Sequence, residues 1–286
     1  MSDPTVLLDI RDGVATLTLN RPAARNALSN AMCADLLAAL AQVSGDPQVR
    51  LVLVRANGPV FCAGADLKER QGMSEDQVRA RRLKAFAAYD ALENLPMPAI
   101  AVVCGPAIGS GCEIAAACDF VIATEAASFR TPEALWGTVG ATQRLPRVLG
   151  KRLAKDLMFT GRTLSAAEAC AHGLVARLVS AEELEATLAA IAATIVKAPA
   201  ASWRWPSVAW IVVWSLTQRV RWPPNSWPLK KISHATTGAG ELRDSGASPL
   251  VEPAAPHSTL ALTRIDTDGA LRKRTSHSIH LMEFRI

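Results

Sequence analysis

"AIAVVCGPAIGSGCEIAAACDF", residues 99–120, decides how this chain is read. It opens as an apolar run suited to a buried strand and passes through a loop holding three glycines and a serine. It then carries one glutamate, Glu113, into a stretch of small apolar residues. An unpaired buried carboxylate is costly. Glu113 is therefore neutralised, exposed on a helix face, or held in place for chemistry.

Around this stretch, strand, loop and helix signals alternate. "TVLLDIRDGVATLTLNRP" (5–22) has strand character about an Asp12-Gly13 turn, a short-range hairpin signal. "SNAMCADLLAALAQV" (29–43) has helical spacing with Ser29 or Asn30 as N-cap. "VRLVLVRA" (49–56) suits a buried strand. "SEDQVRARRLKAFAAYDALENL" (74–95) is an amphipathic helix ended by Pro96 and Pro98. "DFVIAT" and "ASFRT" read as short strands. Two capping boxes follow, Ser165 with Glu168 and Ser180 with Glu183, and Gly173 suits a helix C-terminus. The alternation indicates an α/β fold.

Half of the 286 residues are hydrophobic and 20% are charged, which suits a globule with a sizeable core. No apolar run approaches the roughly 20 residues that span a bilayer. The N-terminus lacks the basic and apolar regions of a secretory signal, so a cytoplasmic location is expected. The cysteines at 33, 62, 104, 112, 118 and 170 show no metal-ligand spacing and sit mostly in apolar contexts, as buried thiols of a reducing compartment. The net charge of +5 hints at nucleic acid, but residues 1–200 carry 20 basic and 20 acidic side chains, so the whole surplus lies beyond them.

Beyond residue 200 the character changes. "SWRWPSVAWIVVWSLTQRVRWPPNSWP" (202–228) holds six of the seven tryptophans at no helical or strand period. Tryptophan has a single codon, so Trp203–Trp214 and Trp222–Ile232 constrain their DNA. Read in a shifted frame, both permit amphipathic helices of good helix formers, which the printed frame does not. Residues 201–286 are therefore expected to be an atypical tail, out of frame or disordered, beside a 1–200 catalytic core. The rival reading is a basic, aromatic segment for nucleic acid or a membrane surface.

Three stretches carry chemistry. "FCAGADLKE" (61–69) and "IGSGCEI" (108–114) are flexible turns after buried strands, each exposing backbone N–H groups. Two converging N–H groups make an oxyanion hole for charge developing on a carbonyl oxygen. "FRTPEALWG" (129–137) places Glu133 after a rigidifying proline. Two glutamates aimed at one polarised substrate divide general-acid and general-base work. Asp66 is expected to cap the helix after it, Asp119 and Arg144 to form structural salt links, and His172 to sit as a charge at a helix C-terminus.

These blocks, with "LNRPAARNALS" (19–29), "TPEALWG" (131–137) and "TQRLPRVLGKRLAKDLMFTGRTLSAAEACAHGLV" (142–175), resemble the enoyl-CoA hydratase/isomerase (crotonase) superfamily from about Val6 to Lys197. The resemblance implies a spiral of ββα repeats followed by C-terminal helices, assembled as a homotrimer or hexamer. It implies hydration of a 2-enoyl-CoA, in fatty acid or related acyl-CoA degradation, with Glu113 and Glu133 as the catalytic pair. Ala65 and Ser110 fall on the oxyanion-hole amides, the latter where the family usually has glycine. Ala24, Ala63 and Lys68 fall in the regions that hold the adenine and phosphates of coenzyme A. That molecule enters as part of the acyl-CoA thioester substrate, so no separate cofactor, metal or membrane partner is expected. An isomerase, or another lyase of the superfamily, is the alternative. Two departures stand out: "WGTVGATQRL" (136–145) is about three residues shorter than the hydratase loop that helps hold the water, and the C-terminal helices are not legible.

Overall fold

The computed structural model describes residues 3–138, 140 and 142–199, so the tail expected from residue 201 lies outside the described residues. The chain begins with β1 (Val6–Arg11) and β2 (Val14–Leu19), joined by Asp12 and Gly13 at φ of 50° and 79°, the left-handed pair that a two-residue hairpin requires. A 3-10 turn, Pro22–Ala24, leads to α1 (Asn30–Gly45), where Ser29 is the cap and accepts from the Met32 N–H at 3.1 Å. Next come β3 (Leu51–Ala56), α2 (Leu67–Arg70), α3 (Glu75–Glu93), β4 (Ala99–Val103), β5 (Pro106–Ile108) and α4 (Ser110–Ala117). The described chain closes with β6 (Phe120–Thr124), β7 (Ser128–Arg130), a 3-10 turn at Glu133–Trp136, α5 (Arg144–Thr160), β8 (Thr163–Ser165), α6 (Ala166–Ala171), β9 (Arg177–Val179) and α7 (Leu184–Lys197).

The large sheet has the order β1-β2-β3-β4-β6-β9, antiparallel in its first pair and parallel thereafter. A smaller sheet, β5-β7-β8, is extended by two isolated parallel bridges, Leu28 with Ala65 and Cys62 with Ala107. Those bridges reveal the repeat. β2 and Leu28, β3 and the 62–65 segment, β4 and β5, and β6 and β7 each put their first member in the large sheet and their second in the small layer, in one and the same order. That is the ββα spiral, and it sets the 62–65 segment beside the β5–α4 turn.

The inner strands β3, β4 and β6 are covered on both faces, which explains why they read as continuous apolar runs, whereas β1 leaves one face exposed and alternates. Val52, Val54, Ala101, Val103 and Val121 face the main core with α1 and α3, while Leu51, Leu53, Ile100, Val102 and Ile122 face Leu184, Leu188, Ile191 and Ile195 of α7. The helix ends follow the expected chemistry at Ser165, where the capping box closes, and at Gly173, whose φ is 81°. At Ser180 the Glu183 N–H does donate to the hydroxyl at 3.2 Å and the hydroxyl donates to Glu183 Oε2 at 3.1 Å, but α7 starts only after Glu183, so this pairing lies a turn ahead of the helix and does not cap it. Among the described residues, no helix is long and apolar enough to cross a membrane.

The turn before α1 is held by a residue with no obvious sequence signal, Asn26. It is fully buried at φ 52°, accepts from the Arg21 N–H at 2.7 Å, and donates to the carbonyls of Asn57 at 2.9 Å and Val60 at 2.8 Å. Asparagine tolerates the left-handed region that alanine resists. Asn26→Ala is expected to cost about 2–3 kcal/mol, from an unsatisfied buried N–H and backbone strain together. Urea unfolding measures it, and an unchanged midpoint would show that the turn forms without this side chain.

Candidate active site

The site is built on backbone register. The Cys62 N–H donates to the Pro106 carbonyl at 3.2 Å, and the Ile108 N–H donates to the Cys62 carbonyl at 2.8 Å. With Cys62 opposite Ala107, Ala65 and Ser110 lie three residues further on each side, so the two turns run together. On the other flank, the Leu28 N–H donates to the Gly64 carbonyl at 2.7 Å and the Asp66 N–H to the Leu28 carbonyl at 3.0 Å. The Gly64 carbonyl and the Ala65 N–H belong to one trans peptide, so that N–H points away from Leu28, to the flank where Ala107 pairs. Ser110 is the first residue of α4, where an N–H has no partner within its helix. The two expected oxyanion-hole residues are thus neighbours. Asp66 caps α2 as expected, accepting from the N–H groups of Lys68 and Glu69, and is also paired with Arg21 at 3.0 Å.

Two glycines in α4's approach are required by contact. Gly109 has φ 51° and ψ −106°, and a Cβ there would lie 2.6 Å from Glu133 Oε1. A Cβ on Gly111 would meet the Cys62 carbonyl at 2.5 Å. The missing side chains let α4 start against the 62–65 segment and let the Glu133 carboxylate rest on the turn that presents Ser110.

The two glutamates meet different surroundings. Glu133 opens a 3-10 turn after Pro132, and its Oε2 is buried without a hydrogen-bond partner among the described residues. Burial pushes its carboxyl above the usual range, partly offset by its own backbone N–H, and the charge of Glu113 adds to the rise. Glu113, on the first turn of α4, is 8% exposed, which removes the exposed-face reading. Its Oε2 accepts from Arg144 Nη1 at 3.1 Å.

Three residues beside these were not legible as site residues. Arg144, expected as a structural salt link, does form one, but to Glu113 as well as to Glu93. Tyr89 of α3 lies beneath its guanidinium, 5.9 Å from ring centroid to Arg144 Cζ. Burial pushes the Tyr89 phenol far up, and an interaction with the Ser110 side chain pulls the other way. The one available signal is that Tyr89 and Glu93 stand four apart on one helix face. Asp119 is a correction: among the described residues it makes no salt link, and its carboxylate accepts from the Ala99 N–H at 2.7 Å, stapling β6 to β4. Cys104 also departs from expectation, being exposed while Cys33, Cys62, Cys112 and Cys118 are buried. His172 is the C-cap residue of α6.

The three residues expected to hold coenzyme A fall at one edge of this site. The Ala63 N–H donates to the Arg25 carbonyl at 3.0 Å, which sets Ala63 beside the turn containing Ala24. Lys68 is exposed on α2, directly after the Ala65 turn. Among the described residues, no group of His, Cys, Asp and Glu side chains is arranged to hold a metal ion.

Residues 9–206 match the family model described as "Enoyl-CoA hydratase/isomerase". The chain is 46% identical over 175 residues to "Enoyl-CoA hydratase domain-containing protein 2, mitochondrial" of Bos taurus, covering 60% of this chain and 59% of that one, so it spans about three fifths of that relative's length. It is 41% identical over 187 residues to "Probable enoyl-CoA hydratase" of Rhizobium meliloti, covering 64% of this chain and 72% of that one. Among solved structures, the enoyl-CoA hydratase from Bacillus anthracis superposes with a TM-score of 0.71 at 36% identity, covering 76% of this chain and 88% of that one. With this spiral and these matches, the chain belongs to the enoyl-CoA hydratase/isomerase family.

Proposed function

We propose that this chain hydrates a 2-enoyl-CoA thioester. One observation carries the reading: Glu133 packs on the Gly109 turn that presents the Ser110 amide, while Glu113 stands on the first turn of the helix that follows. Two carboxyl groups thus share one carbonyl-polarising turn, and their environments pull their protonation apart. A thioester carbonyl accepting from the Ala65 and Ser110 amides is polarised, leaving C3 electron-poor. Glu113, held beside a guanidinium, takes a proton from water as its oxygen bonds to C3. Glu133, whose burial favours the neutral acid, delivers a proton to C2. The hydroxyl from water ends on C3 and a proton on C2; the proton taken up by Glu113 then replaces the one Glu133 has given, restoring both carboxyl groups for the next turnover. Ala24 and Ala63 line the approach of the adenine, and Lys68 is placed to meet the phosphates.

A second reading, migration of the double bond between C2 and C3, is favoured by Gly140. A Cβ there would stand 2.6 Å from Glu133 Oε1, so the short loop crowds the carboxylate that a hydratase uses beside its water. Crotonyl-CoA and a 3-enoyl-CoA, offered to the full chain, separate the two: water uptake on the first supports hydration, and turnover of the second alone supports isomerisation.

Glu113→Gln and Glu133→Gln are each expected to slow crotonyl-CoA hydration by about 10²–10⁴ while thioester binding survives. Full activity in either variant removes the role given to that residue. Gly109→Ala, which drives a methyl into Glu133, is expected to abolish turnover, and wild-type rates would show that Glu133 does not need this turn.

Glu133 also makes a prediction without turnover. Between the ordinary value of 4.5 and its raised value, the folded carboxyl keeps a proton that the unfolded one has released. Its contribution to stability therefore falls as pH rises through that window. Glu133→Gln is expected to flatten the fall, read as urea midpoints from about pH 4 to pH 8. Parallel pH curves for variant and wild type would refute a buried acid at this position.

A further inference from the structure

Glu113 is held from outside its own helix. Its Oε2 accepts from Nη1 of Arg144, at the start of α5, and Nη2 of the same guanidinium pairs with Glu93 at the end of α3. The Arg144 side chain is 12% exposed and that of Glu113 9%, whereas Glu93 is 32% exposed. Tyr89, one turn before Glu93, supports the guanidinium face at 5.9 Å. Arg147 approaches Glu93 at 3.8 Å from the next turn of α5. The fork thus joins three helices, with its inner tooth on the carboxylate given the base role and its outer tooth anchored near solvent.

We propose that Arg144 is a positioning residue that holds Glu113 in its ionised form and fixed orientation, with Glu93 and Tyr89 holding Arg144. The inference rests on Glu113 being the base of the reading above. A planar guanidinium can bond two carboxylates at a fixed angle, which an ammonium cannot. A buried carboxylate without a cation beside it would take up a proton instead. The other titratable groups around Glu113 do not substitute. Glu133, Tyr89 and Cys112 are each pushed toward their neutral form by burial and by the charge of Glu113, so none of them offers that carboxylate a positive partner. Arg147 is directed to Glu93. β4, β5 and β6, which pack on α4, carry no titratable side chain. Among the described residues, Arg144 is the cation seen bonded to Glu113, while Glu133 is buried away from any ion pair.

The full chain, labelled with ¹³C at the glutamate carboxyl, tests this by NMR titration, the Glu113 signal being identified by its loss in Glu113→Gln. In Arg144→Met the titration of Glu113 is expected to move upward by about one pH unit or more, as loss of an adjacent opposite charge requires. Arg144→Lys, which keeps the charge, is expected to reverse most of that shift and provides the measurement if Arg144→Met does not fold. An unmoved Glu113 titration overturns the proposal, and so does a Lys variant that titrates like the Met variant. In the hydration assay, Arg144→Met is expected to lower kcat about ten- to a hundredfold with KM within about twofold, the acidic limb of kcat/KM moving to higher pH. A uniform loss at every pH would mark a merely structural residue. If the wild-type chain hydrates no enoyl-CoA, the hydratase reading fails, while the NMR titration still decides whether Arg144 controls Glu113.

Discussion

The pairing of Cys62 with Ala107 is the constraint on which the rest of the site depends. Two backbone hydrogen bonds lock the third repeat of the spiral onto the second. The Ala65 and Ser110 turns then have no independent freedom, because each is reached by the same count from the locked pair. Peptide planarity does the remainder, turning one N–H outward because the carbonyl joined to it is taken by Leu28. Leu28 is itself clamped, since its carbonyl also accepts from Arg81, and Arg81 is paired with Glu69 at 2.9 Å. The placement of these two turns is a product of register and sterics, with side chains acting mainly as braces.

Charge is arranged around that backbone frame by helix ends. α3 supplies Glu93 and Tyr89, α4 supplies Glu113, and α5 supplies Arg144, so the ion pairs form only when all three helices are docked. Coupling the ion pairs to helix docking in this way ties the arrangement of charge to the packing of the core. Glu133 stands apart from the cation, on a turn whose approach is set by Pro132 and whose oxygen rests on Gly109.

Much of this was legible in the chain, and what was not has physical reasons. Elements with a plain pattern, the unbroken apolar run of 49–56 and the helical spacing of 74–95, declare themselves, as do the Asp12-Gly13 hairpin and the caps at Ser29 and Ser165. The short second-layer segments at 28, 62 and 65 do not, because an isolated bridge needs no apolar pattern. Glu113 and Glu133 were visible as carboxylates in unusual company, though their partners were not. Arg144 lies 31 residues from Glu113 and Glu93 lies 51 from Arg144, and no spacing rule links residues brought together by tertiary packing. Asp119 was misjudged because a carboxylate beside a buried strand can be satisfied by a single backbone N–H as well as by a cation.

Tyr89 is the sole tyrosine of the chain, and it stands between the Ser110 side chain and the Arg144 guanidinium. Fluorine placed on tyrosine rings would therefore give one resonance, with no assignment to be made. That nucleus would sit within the brace of the site, too buried to sense solvent directly. Its shift would change with the Ser110 turn on one side and the ion-pair fork on the other, so the resting protein carries a built-in observer of how these elements are arranged.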